Sequence, residues 1–155
     1  MLAAHPAGPG GLGGEWEARA ARCTDPKTLQ VLARGDTVDV LIVLWLPADS
    51  APAGPYTVLG PQDSTVAPRT ARMGAQRMLY ADVSYQASGG TVWLERLDQW
   101  ASGRFDLVLD ESISHSQVRY LGTFSAVPVD SAPEPVCRPA PRDSAGARGP
   151  RPMLD

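Results

Sequence analysis

The 155-residue chain is poor in the side chains that carry most metal and nucleophile chemistry: it has two histidines, two cysteines and a single lysine, Lys27, among fourteen basic residues. A zinc site needs three or four donors at close spacing, and His5, His115, Cys23 and Cys137 are too scattered to supply one. No Cys-x-x-Cys is present, which excludes a dithiol redox pair. Seventeen acidic residues against fourteen basic ones give a formal charge of −3, so no broad cationic surface exists to neutralise phosphates, and nucleic acid is not an expected partner. The longest apolar run, VLIVLWL at 40–46, is far short of the roughly 20 residues that span a bilayer, so no transmembrane segment is expected. The chain also lacks a Gly-x-Ser-x-Gly nucleophile elbow and an Asp-x-Asp-x-Asp-Gly calcium loop. These absences point away from an enzyme, and no cofactor or metal is expected.

Glycine and proline, fifteen of each, are unevenly placed. Residues 1–14, MLAAHPAGPGGLGG, have turn formers at every second or third position, so 1–22 is expected to be a disordered head. Residues 131–155 carry six prolines and four arginines with almost no apolar side chains, and are expected to be a disordered Pro/Arg-rich tail. Between them, 23–130 is read as one domain. Neither a basic leader nor an apolar stretch of roughly 7 to 15 residues precedes Cys23. Arg22 occupies a position where a lipidated cysteine is preceded by a small residue.

Residues 69–127 contain no proline, as expected of central strands. Within them TVWLERL (91–97), FDLVL (105–109) and VRYLGTFSAV (118–127) alternate with period two, and the short polar joins at 99–103 and 111–117 suit hairpins. An antiparallel meander follows. A further strand is predicted over 78–86, with Ser88-Gly89-Gly90 as the turn after it. Residues 38–46 have apolar side chains at both parities and read as a strand buried on both faces. Residues 29–33 read as a strand paired to it through a turn at Arg34-Gly35-Asp36-Thr37; the competing reading is a short helix started by Asp25-Pro26. A short strand at 56–59 lies between loops at 47–55 and 60–68. The expected fold is all-β, an antiparallel β-sandwich or small barrel of about seven strands. Trp45, Trp93, Phe105, Tyr120 and Phe124 are expected to carry most of the core.

The successive segments GGTVWLERLD, GRFDLVLD and LGTFSAVPV, from Gly89 to Val129, resemble an arrangement in uncharacterised secreted proteins and lipoproteins of bacteria. In these a Gly-Thr-Val strand leads to successive Gly-x-Phe strands. The resemblance implies an envelope or secreted protein and brings no activity or catalytic residues with it.

Cys23 and Cys137 flank the predicted domain and are the candidate disulfide pair, the alternative being two unrelated thiols. A bridge closing a loop of about 100 residues is worth on the order of 4.7 kcal/mol in the chain-entropy model, and implies an oxidising compartment. Ser112-Ile113-Ser114-His115-Ser116 sets hydroxyls beside an imidazole, but adjacent residues on a turn do not make a nucleophile and base, so a solvated hairpin loop is expected. Asp106, Asp110 and Glu111 read as outward strand positions rather than calcium ligands, and Arg34-Gly35-Asp36 as a turn rather than an adhesion motif. Arg69, Arg72 and Arg77 with Tyr80 and Tyr85 read as an exposed face. The leading expectation is a non-catalytic β domain of the periplasm, envelope or exterior with a binding or structural role, its partner a protein or an apolar small molecule. A small barrel carrying an apolar ligand and a hydrolase with an unrecognised site are the alternatives, and a cytoplasmic location is the alternative address.

Overall fold

Side-chain alternation takes most of the chain into strands, and the computed structural model, which describes residues 1–6, 12–48, 50–78 and 82–131, is all-β. Among the described residues there is no helix, and ten strands, not seven, form one sheet. They are β1 (Leu2–Pro6), β2 (Gly14–Trp16), β3 (Ala18–Thr24), β4 (Lys27–Arg34), β5 (Val38–Trp45), β6 (Gly54–Val58), β7 (Thr70–Met78), β8 (Asp82–Leu97), β9 (Trp100–Glu111) and β10 (Gln117–Ser131). Antiparallel pairings run β3–β4–β5–β7–β8–β9–β10, and a short parallel register of Val129, Asp130 and Ser131 with Ala20, Ala21 and Arg22 brings β10 back to β3. β6 enters between β7 and β8 at one end, while β1 covers residues 120–124 of β10 and carries β2 on its far side.

The meander of β8, β9 and β10 is present as expected, as are the strand reading of 29–33 and the hairpin turn after Arg34. The Gly-x-Phe segments acquire a physical meaning here. Antiparallel register sets Phe105 opposite Gly122 and Phe124 opposite Gly103, so each ring lies over the other strand's glycine. A Cβ at Gly122 would come within 2.3 Å of Phe105 Cζ, and one at Gly103 within 2.6 Å of Phe124 Cζ. The absent side chains make the room that the aromatic rings fill.

Several expectations are corrected. Within 1–22, Leu2, Ala4 and Leu12 are buried, and the Tyr120 hydroxyl donates to the Leu12 carbonyl at 2.8 Å, so the head is part of the fold over its described residues. Turn-rich composition is a local signal, and here it is outweighed by an apolar residue at alternate positions beside β10. The tail beyond Ser131 lies outside the described residues. The strand predicted over 78–86 is instead the end of β7 and the start of β8, with Met78 paired to Asp82; residues 79–81 lie outside the described residues. Ser88-Gly89-Gly90 is no turn but a bulge within β8, marked by a register shift between Ala87 and Gly89. That extra residue switches the inward parity from Val83, Tyr85 and Ala87 to Val92 and Leu94. A second shift between Phe124 and Val127 exposes Ala126, expected inside, and buries Val127.

β5 is not buried on both faces. Val38, Val40, Ile42 and Leu44 point into the core, whereas Leu41 on the opposite face is 40% exposed. Trp45 and Trp93 share such outward parities and are only half-buried, the latter beneath the Arg104 guanidinium at 4.1 Å. The largest fully buried side chains are Tyr56, Tyr120 and Phe124.

Candidate functional site

The outward side chains of β4, β5, β7, β8 and β9 fall into cross-strand rows. One row reads Leu32, Leu41, Gly74, Gln86 and Asp110, each residue paired in register with the next. Flanking it are Val43 with Arg72 on one side and Asp39, Gln76 and Ser84 on the other. Gly74 is the gap in the row. A Cβ there would find its nearest neighbour, the Tyr85 carbonyl oxygen, at 3.7 Å, so the floor is open. The result is a groove of about 670 Å³ on the outer surface of the sheet.

Both walls are held in place by hydrogen bonds. On one side the 60–63 loop is closed by the Gly60 amide donating to Asp63 Oδ2 at 2.8 Å. Arg72 fixes this loop to β7, with Nη1 donating to the Gly60 carbonyl at 2.9 Å and Nη2 to the Asp63 carbonyl. On the other side stands the turn between β9 and β10. Ser114 Oγ donates to Glu111 Oε2 at 2.8 Å and Ser116 Oγ to the same oxygen at 3.3 Å. Hydrogen bonding, from Ser114 first, holds the Glu111 carboxyl below its usual range. The Ser112 amide donates to the Ser84 carbonyl at 2.9 Å, which ties the turn to β8. His115, at φ 60, lines the groove from this wall.

The residues singled out from sequence fall as follows. The hydroxyls of Ser114 and Ser116 bond to Glu111 and to each other, that of Ser112 accepts from the Ser84 amide, and together they build a wall. The carboxylates do not converge. Asp106 is gripped by Arg119 through Nε at 3.0 Å and Nη2 at 2.7 Å, which lowers its pKa, and Asp110 accepts from Gln117 Nε2 at 2.9 Å. Among the described residues no group of three or more His, Cys, Asp or Glu is arranged to hold a metal. The basic and aromatic strip does not assemble either. Arg69 donates to the Ala51 and Ala53 carbonyls and lies over Tyr56, Arg72 serves the groove wall, and Tyr85 is buried; Tyr80 lies outside the described residues. Arg34 and Asp36 are exposed at a hairpin end, with Trp16 against Gly35. Cys23 is buried on β3, and Cys137 lies outside the described residues.

The groove itself escaped sequence reasoning. Leu41 and Val43 register as a second buried face because parity cannot tell a covered face from an open one. The available signal was Gly74, a glycine inside a strand, which marks a place where something approaches the backbone.

Comparison with protein-family models, with curated proteins and with solved structures gives no match.

Proposed function

We propose that this protein is a non-catalytic binding domain that holds its ligand in the outer groove across β4, β5, β7, β8 and β9. The observation that carries the reading is a trough formed by a missing side chain at Gly74 and bounded by two walls that are already tied down. A preformed site loses little conformational freedom on binding, and about 670 Å³ lies within the roughly 300–1,000 Å³ of ordinary ligand sites.

The circuit of pairings from β3 through β10 and back to β3 supports the finer reading of the fold as a small closed barrel. Its inward positions are occupied by Tyr56, Tyr120, Phe124, Leu107 and Leu109, all at most 1% exposed, which weighs against a carrier of an apolar ligand in the interior.

The envelope or exterior is the proposed location, and a Cys23–Cys137 bridge is part of the proposal. Register supports the bridge: Cys23 follows Arg22, the residue paired with Ser131 where β10 ends. Cys23 also pairs with Thr28, which pairs with Trp45 on the outward face, yet Cys23 and Thr28 are both only 2% exposed. A buried outward position needs something laid over it, and six residues span at most about 21 Å, ample to bring Cys137 back.

The test is a native mass spectrum of the full chain isolated from the cells that make it, beside the same protein carrying Gly74→Leu. The reading expects an adduct on the natural protein that the variant loses while both keep the same thermal midpoint. An adduct retained by the variant overturns the groove as its site.

A further inference from the structure

Resting on the groove reading above, we propose that the ligand is an extended cationic peptide segment carrying an aliphatic side chain two to four residues from an Arg or Lys.

The two ends of the groove differ in chemistry. Leu32, Leu41 and Val43 make one end apolar, and Asp110 and Glu111 close the other, with Asp39 along the side. Four carboxylates elsewhere on the protein, Glu95, Asp98, Asp106 and Asp130, are each held by an arginine. The ion pairs among the described residues are Arg19–Asp130, Arg96–Asp98, Arg104–Glu95 and Arg119–Asp106, and none of them uses Asp39, Asp110 or Glu111. Among the described residues, the side-chain donors that reach Asp110 and Glu111 are the neutral groups of Gln117, Ser88, Ser114 and Ser116, joined at Glu111 by the Ser114 backbone. Arg77 acts on Glu111 only as the weakest of the influences on it. Among the described residues the one Arg or Lys lining the groove is Arg72, and both of its Nη groups donate to loop carbonyls. Among the described residues the site therefore presents carboxylates that no ion pair engages, although Arg34 stands opposite Asp39 in register, beside the partly exposed aliphatic side chains of Leu32, Leu41 and Val43. That pairing complements a ligand with one apolar and one positive group.

Length selects a peptide. From Leu41 on β5 to Asp110 on β9 the row crosses three strand spacings, about 14 Å. An extended chain rises about 3.4 Å per residue, so an aliphatic side chain at the Leu41 end and a long basic one reaching Asp110 are separated by two to four residues. A single amino acid or a small organic cation touches one end only.

The experiment is fluorescence anisotropy with the full chain and labelled synthetic hexapeptides that carry one Leu and, three positions later, Arg, Gln or Glu. The Arg peptide is expected to bind at least about tenfold tighter than the Glu peptide, with the Gln peptide between, and the preference to shrink in high salt. An Asp39→Asn, Asp110→Asn double variant, folded by its circular dichroism, is expected to lose most of that preference for Arg over Glu; a preference it retains in full overturns the assignment of these carboxylates. Equal affinity for all three peptides, abolished by Gly74→Leu, overturns the cationic assignment and leaves the groove standing. Binding of the Arg peptide that Gly74→Leu does not alter overturns both.

Discussion

Gly89 and Gly90 are neighbours in the β8 bulge, yet their surroundings differ. A Cβ at Gly89 meets nothing within 4 Å, whereas one at Gly90, at φ +120, would sit 2.3 Å from the Asp106 carbonyl oxygen and 2.7 Å from Leu107 Cα. Gly89→Ala is therefore expected to change stability by less than about 0.5 kcal/mol and Gly90→Ala to cost about 1–3 kcal/mol, as urea unfolding would show. The reciprocal Phe105–Gly122 contact gives a coupling of its own: Gly122→Ala and Phe105→Leu are expected to be non-additive in a double-mutant cycle, because the smaller side chain relieves the clash. Tyr120 adds a pH dependence. Burial raises its pKa, so the folded state favours the neutral phenol. That stability is fully present below the ordinary value near 10 and is lost as pH rises above it; Tyr120→Phe is expected to flatten the alkaline limb of a thermal-midpoint profile. At this scale the sequence was partly legible: Gly-x-Phe was visible twice, but that each glycine receives the other's ring depends on register between distant segments.

Among the elements, β1 separates local from long-range reasoning most sharply. Its residues sit among Gly and Pro and look unstructured in isolation, but Leu2 and Ala4 are fully buried where β1 pairs with β10 from Leu2↔Phe124 to Pro6↔Tyr120. Leu2→Ala is expected to destabilise the protein by about 2–4 kcal/mol, the range for a buried leucine, when measured by urea unfolding; a value near zero would mean that β1 does not hold the core. The central strands were legible because period two is strong in 91–97, 105–109 and 118–127 and proline is absent. The β7–β8 reversal was not, because the alternation read over 78–86 runs past the point where Met78 pairs with Asp82. The parity switches in β8 and β10 were equally hidden, since a bulge is visible only against its partner strand.

For the whole molecule, the all-β class followed from composition and alternation, while strand count, strand order and the groove did not, since each depends on which distant strands become neighbours. The groove shows this most clearly: Leu32, Leu41, Gly74, Gln86 and Asp110 come from five strands and share no local motif. The proposed bridge belongs to this scale too. An intact mass two hydrogens below the reduced value, without reductant, is its expected signature, and the full reduced mass would remove it. The central claim, that ligand is held on the outer face of the sheet, is tested most directly by amide NMR of the full chain titrated with the Leu–Arg hexapeptide. The account predicts shifts concentrated at Leu41, Gly74, Gln86, Asp110 and His115, with Tyr56, Leu107 and Tyr120 unmoved; shifts centred on those interior residues, or none up to millimolar peptide, would contradict it.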